Sequence, residues 1–189
     1  GIRSRVIDAA TPAAPLLDAL ARDRVTVWLA RVDQVLAAAS EPARAGLAAH
    51  LTAVVLPLAR AADLPHARAA MEAFRQAHGI EPVVAYAPPE VRGLVAMNTP
   101  ATRITWDHET IAKPDTVGRV VNGVAVWPRA SQRPALGLAS LESRGIPDDS
   151  HATLAIAATG PVEPRGAGPL AVPLHDSFNV AKDGFLVAR

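Results

Sequence analysis

Apolar positions follow two different rhythms along this chain. In the first 79 residues they recur at spacings of three and four, the period of a helix face. Val25, Trp28, Leu29, Val32, Val35 and Leu36 form one such stripe, which Leu16, Leu17 and Leu20 extend backward across a break near Asp23. The stripe predicts a helix from about Ala13 to Ala39. Ser40 is a suitable cap for the next, with Pro42 in a first turn where its missing N–H costs nothing. That second helix would present Leu47, Leu51, Val54, Val55 and Leu58, with Pro57 kinking or ending it. A third would start at Asp63 and Pro65, bury Ala67, Ala70, Met71, Phe74 and His78, and stop at Gly79.

From Ile80 onward the period shortens. "VVAYA" from Val83 and "GLVAM" from Gly93 read as short strands, and "TRITW" places Ile104 and Trp106 on one face. Asn122-Gly123 sits between two valine runs and suits a type I′ turn, which predicts a hairpin pairing Val121 with Val124 and Val120 with Ala125. "ATLAIAA" from Ala152 is a further strand. Lys182-Asp183-Gly184 separates "FNVA" from "FLVAR" in a second hairpin.

Proline and glycine draw the same boundary. Five prolines and three glycines precede Ile80; twelve and nine follow. The expected fold is therefore α+β: N-terminal antiparallel helices over residues 1–79, then a small antiparallel β-sandwich or barrel over residues 80–189.

Composition narrows the function classes. The formal charge is +1 and no long run of like charge occurs, so neither a nucleic-acid arm nor a polybasic membrane patch is indicated. No apolar stretch reaches the roughly 18 residues that a membrane span needs. "GIRSRVIDAATPAAPLL" lacks the continuous apolar region of a signal peptide, which leaves a soluble cytoplasmic protein as the default. The absence of cysteine excludes disulfides, thiolate metal sites and cysteine nucleophiles.

Candidate chemistry is sparse. His50, His66, His78 and His151 read as surface, helix-end or turn residues. "WDHET" sets Asp107 and Glu109 beside His108, and "HDS" places His175, Asp176 and Ser177 together. Neighbours on a strand point to opposite faces, which argues against a relay within "HDS". His108, His175 and a carboxylate would make a metal site only if the fold joined them. No nucleophile elbow, zinc-helix motif, phosphate loop or dinucleotide fingerprint is present. No catalytic, cofactor-binding or metal-binding residue is assigned, and no cofactor is implied. Trp106 and Trp127 are candidate surface or ligand contacts, and Asn122 and Gly123 a structural turn.

The order "IAKPDTV", "VVNGVAV", "ATLAIAATGPV", with the trailing "NVAKDGFLVAR", resembles the small β-domains of tailed-phage virion proteins, capsid decoration and fibre-base modules among them. The resemblance implies a non-enzymatic structural or binding component of a phage-like particle. Such a component would act as a symmetric homo-oligomer, meet other virion proteins and reside in the virion. Two alternatives stand beside it: a carbohydrate-binding module stacking sugars on Trp106 or Trp127, and a small metal-dependent hydrolase using Asp107, His108, Glu109, His175 or Asp176.

Overall fold

The computed structural model describes residues 4–91, 93–98, 116–121, 124–128, 152–158, 171–180 and 185–188. The chain divides into two compact units, residues 1–56 with 66–83 and residues 57–65 with 84–189.

The first unit is a helix–strand alternation. Helix α1 (Ala13–Arg22) buries Leu16, Leu17, Ala19 and Leu20. It ends where Arg24 takes a positive φ of 51°. The β-branched run Val25-Thr26-Val27 then favours extended chain, and strand β1 (Val27–Leu29) follows. Helix α2 (Val32–Ala39) buries Val35 and Ala38. A four-residue helix α3 (Leu47–His50) leads into strand β2 (Ala53–Leu58), which runs parallel to β1 with Trp28 opposite Val54. The long helix α4 (Leu64–His78) carries Ala67, Ala70 and Phe74 fully buried, and Phe74 meets the Trp28 ring at 6.0 Å.

The expectation of antiparallel N-terminal helices is therefore corrected. One expected helix is two helices around β1, and most of the second is strand β2. Only the third stands as read, with Gly79 at φ 68° closing it and donating its N–H to the Arg75 carbonyl at 2.8 Å. The sequence Val54-Val55-Leu56-Pro57-Leu58 shows why. Val54, Leu56 and Leu58 are buried and Pro57 is exposed, a period of two that a five-residue window also fits to a helix stripe.

The second unit holds an open, antiparallel strand order. Strand β3 (Pro82–Tyr86), from Val84 on, pairs with β4 (Ala96–Met97), and β4 with β5 (Thr116–Val120). Beyond β5 come β9 (Phe185–Ala188), β8 (Ala171–Val180), β7 (Ala152–Ala158) and finally β6 (Val124–Pro128). This is one open sheet rather than a sandwich or closed barrel, and the fold class is mixed α/β.

The central hairpin is the second correction. Strand β5 is hydrogen-bonded to β4 on one side and β9 on the other, and β6 pairs with β7. A strand has two edges, and both edges of β5 are taken, so the two valine runs do not pair. Asn122 and Gly123 lie outside the described residues. The second hairpin holds: Phe178 lies opposite Ala188 and Val180 opposite Leu186.

Candidate functional site

Within the second unit, three separate segments each bring polar groups, side-chain or backbone, to one place. The first is the turn after β2, Arg60 and Ala61. The second is the end of β3 with the bend beyond it, Tyr86 and Glu90. The third is the middle of β8, His175 and Asp176.

Local sequence explains each placement. On β8 burial alternates: Leu174 and Phe178 are buried, His175 and Ser177 exposed, and Asp176 lies between. Period-two geometry thus turns Asp176 to the core face and His175 to solvent. After Tyr86, Pro88-Pro89 cannot continue a ladder and fixes a turn, closed by the Val91 N–H on the Pro88 carbonyl at 3.1 Å. Glu90 sits inside that turn. The Ala87 N–H donates to the Leu58 carbonyl at 2.9 Å, holding the end of β3 beside the end of β2.

Asp176 is the centre of the cluster. Its Oδ2 accepts the Tyr86 hydroxyl at 2.7 Å and the Ala61 N–H at 3.0 Å. Among the described residues Oδ1 has no hydrogen-bond partner. Tyr86 is completely buried, its ring edge-on to Phe178 with centroids 5.1 Å apart. Burial first, and then the Asp176 carboxylate, push the Tyr86 phenol far above its ordinary range, so it stays a hydrogen-bond donor.

Glu90 repeats the pattern. Its Oε1 accepts the His175 N–H at 3.0 Å, and the Arg60 guanidinium stands 4.0 Å away. Its Oε2 is buried with no partner among the described residues. Burial favours the protonated acid, but the His175 N–H, Glu90's own N–H, and the His175 and Arg60 side chains outweigh it. The carboxyl is held below the ordinary glutamate range. An ionised carboxylate with a bare, buried oxygen calls for a cation or a donor. The Arg60 side chain is 45% exposed, leaving its guanidinium accessible.

Sequence reading named Asp176 and His175 but not their partners. Tyr86, Glu90 and Arg60 were passed over; the one signal was a tyrosine and a glutamate bracketing Pro88-Pro89 at the end of an apolar strand. Trp106, Asp107, His108 and Glu109 lie outside the described residues. Trp127 occupies a place in β6 opposite Ala155. Among the described residues no group of three or more His, Asp or Glu is arranged to hold a metal by itself.

Neither a protein-family model nor a curated protein sequence matches the chain. Solved structures do match. A benzoate CoA ligase from Burkholderia xenovorans is 17% identical, with a TM-score of 0.61 over 94% of this chain and 34% of its own. An anthranilate CoA ligase in complex with anthranoyl-AMP is 15% identical, with a TM-score of 0.56 over 93% of this chain and 31% of its own. An O-succinylbenzoate coenzyme A synthetase from Bacillus subtilis, in complex with AMP, is 14% identical, with a TM-score of 0.62 over 93% of this chain and 33% of its own. The same synthetase has also been solved with ATP and a magnesium ion. The chain spans about a third of the length of these structures. At these identities the likeness is one of fold.

That likeness overturns the virion resemblance, and with it the decoration, fibre-base and particle readings. The short strands after Ile80 belong to a fold shared with acid–CoA ligases. Nothing in it supports a carbohydrate-binding module or a small metal-dependent hydrolase.

Proposed function

We propose that this chain forms the nucleotide-facing part of an adenylate-forming enzyme, one that activates a carboxylic acid as its acyl–AMP anhydride. The observation that carries the reading is a matched pair of carboxylates. Asp176 and Glu90 each have one oxygen tied to the protein and the other without a partner among the described residues. A buried, ionised oxygen without a partner, as at Glu90 Oε2, is costly to keep unless a ligand completes it.

AMP and ATP with magnesium, the ligands of the O-succinylbenzoate synthetase, suit these vacant acceptors. Asp176 Oδ1 is an acceptor for the vicinal hydroxyls of a ribose, the same chemistry by which acidic residues hold nucleotide sugars elsewhere. Glu90 Oε2 is a hard oxygen ligand, and magnesium is held by one or two carboxylates together with substrate phosphates. Arg60, half-exposed at the rim, supplies positive charge toward a phosphate.

Titration calorimetry with AMP, and with ATP in the presence and absence of magnesium, tests the reading. The chain is expected to bind AMP. Asp176→Ala is expected to weaken that binding by about tenfold or more, and Glu90→Gln to remove the gain that magnesium gives to ATP. Absence of any adenine-nucleotide binding at about 1 mM, a bound of roughly 4 kcal/mol on affinity, overturns it.

A further inference from the structure

We infer that Tyr86 is a positioning residue, which sets the rotation of the Asp176 carboxylate and thereby its selectivity for a ribose diol. The inference rests on the adenylate reading above and deepens it.

A carboxylate on a strand turns freely about its last side-chain bond unless donors fix it. Here two donors converge on the same oxygen. The Tyr86 hydroxyl and the Ala61 N–H both reach Oδ2, at 2.7 and 3.0 Å, from different segments of chain. Two donors on Oδ2 define the plane of the group and leave Oδ1 facing away from both. One donor alone would leave the plane of the carboxylate free to swing about that single hydrogen bond.

Tyr86 is suited to the task because its own position is over-determined. Its ring is fully buried and packs edge-on against Phe178. Phe178 lies two residues beyond Asp176, on the same face of β8. One side chain thus grips the strand at two points, ring on Phe178 and hydroxyl on Asp176. Its backbone is anchored as well, with the Tyr86 carbonyl accepting the Val95 N–H at 2.8 Å and Tyr86 paired with Ala96. A hydroxyl held this firmly is a fixed reference for the carboxylate, not a mobile partner.

The test compares AMP with 2′,3′-dideoxyadenosine 5′-monophosphate, which lacks the diol, on the full chain by calorimetry. The wild type is expected to prefer AMP by about tenfold or more, the scale of a hydrogen bond to a charged acceptor. Tyr86→Phe keeps the ring packing and deletes only the hydroxyl. It is expected to weaken AMP until the preference falls to about threefold, while dideoxy-AMP affinity stays as in the wild type. Ala61→Pro deletes the other donor and is expected to lower the preference in the same direction, which keeps the test open if one variant fails to fold.

A purely structural role would weaken both nucleotides alike, and that result overturns the inference. So does full retention of the preference in Tyr86→Phe, or equal binding of both nucleotides by the wild type. In those cases AMP still binds and adenine-nucleotide binding stands, while equal binding by the wild type also removes Asp176 from the ribose. Failure of the wild type to bind either nucleotide removes both readings together.

Discussion

Gly118 lies against the backbone of Met97 so closely that a Cβ on the glycine would fall 2.2 Å from the Met97 carbonyl carbon and 2.5 Å from the Asn98 nitrogen. The contact is backbone to backbone, so no side chain can move to relieve it. Gly118 also has φ +115°, a region closed to other residues by steric clash. It sits where the β5–β9 register slips, and its N–H turns to the Thr116 hydroxyl at 3.2 Å. β5 bends here, and only glycine permits the approach.

Gly118→Ala is therefore expected to cost roughly 3 kcal/mol, from backbone strain and forced separation of β4 and β5 together. Chemical denaturation with a tryptophan or circular-dichroism readout measures it. A loss under about 1 kcal/mol would show that the two strands can part at little cost.

Trp28 and Leu29 are neighbours with opposite fates. Trp28 is 7% exposed and packs on Phe74; Leu29 is 70% exposed. Trp28→Ala is expected to lose about 3–5 kcal/mol. Leu29→Gln should change stability by no more than about 0.5 kcal/mol. Equal losses from the two, measured in the same denaturant series, would contradict the strand assigned to Val27–Leu29.

His78 gives a less obvious result. Its Nε2 meets the Ala38 carbonyl at 2.9 Å, and its ring lies 4.4 Å from Phe74, but its buried Nδ1 has no partner among the described residues. The Ala38 carbonyl also accepts the Glu41 N–H at 3.1 Å, so it keeps a donor when the imidazole is removed. Phenylalanine at position 78 gives up one neutral hydrogen bond, worth about 1 kcal/mol, and removes an unsatisfied nitrogen of similar cost. His78→Phe is expected to be neutral to within about 1 kcal/mol, and His78→Ala to lose roughly 2–3 kcal/mol through the cavity it leaves. Thermal melts of both variants decide. A large loss in His78→Phe would show that the hydrogen bond to Ala38 outweighs the orphaned nitrogen.

How far the sequence spoke can be traced residue by residue. α4 was legible because a proline near its start, a long apolar stripe and a closing glycine agree with one another. The β8–β9 pair was legible because turn residues stand between two short apolar runs. β1 and β2 were not: each is short enough that its burial pattern fits a helix stripe as well as a strand, and flanking helices bias the reading. The Asn122-Gly123 signal was local, whereas strand neighbours are chosen by long-range pairing, and β9, more than sixty residues later in the chain, took the edge of β5. At the site, Asp176 stood out by residue type alone. Its partners come from segments 90 and 115 residues away, which no spacing rule could connect. Glu90 was hidden for the same reason, within a proline turn that looked like plain connection.

Glu90 also makes the pH behaviour predictable. Its carboxyl is held below the ordinary glutamate value of about 4.3 in the folded chain. The native state therefore releases this proton more readily than the unfolded chain does. Between the lowered native value and the ordinary one, the unfolded state binds more protons, so stability rises with pH across that window. The stabilisation from ionised Glu90 is complete above the ordinary value and is lost as pH falls through the lowered one. Glu90→Gln cannot titrate. It is expected to be less stable than the wild type at neutral pH, because the His175 N–H and Arg60 then face a neutral amide. The gap should shrink as the pH falls through the window and the wild-type carboxylate takes up its proton. Denaturation midpoints of the two proteins from about pH 7 down to about pH 3 give the comparison. A gap that stays constant over that range would mean Glu90 ionises alike in the folded and unfolded chains. A gap that widens toward acid would mean that burial, and not the surrounding donors and cations, controls its proton.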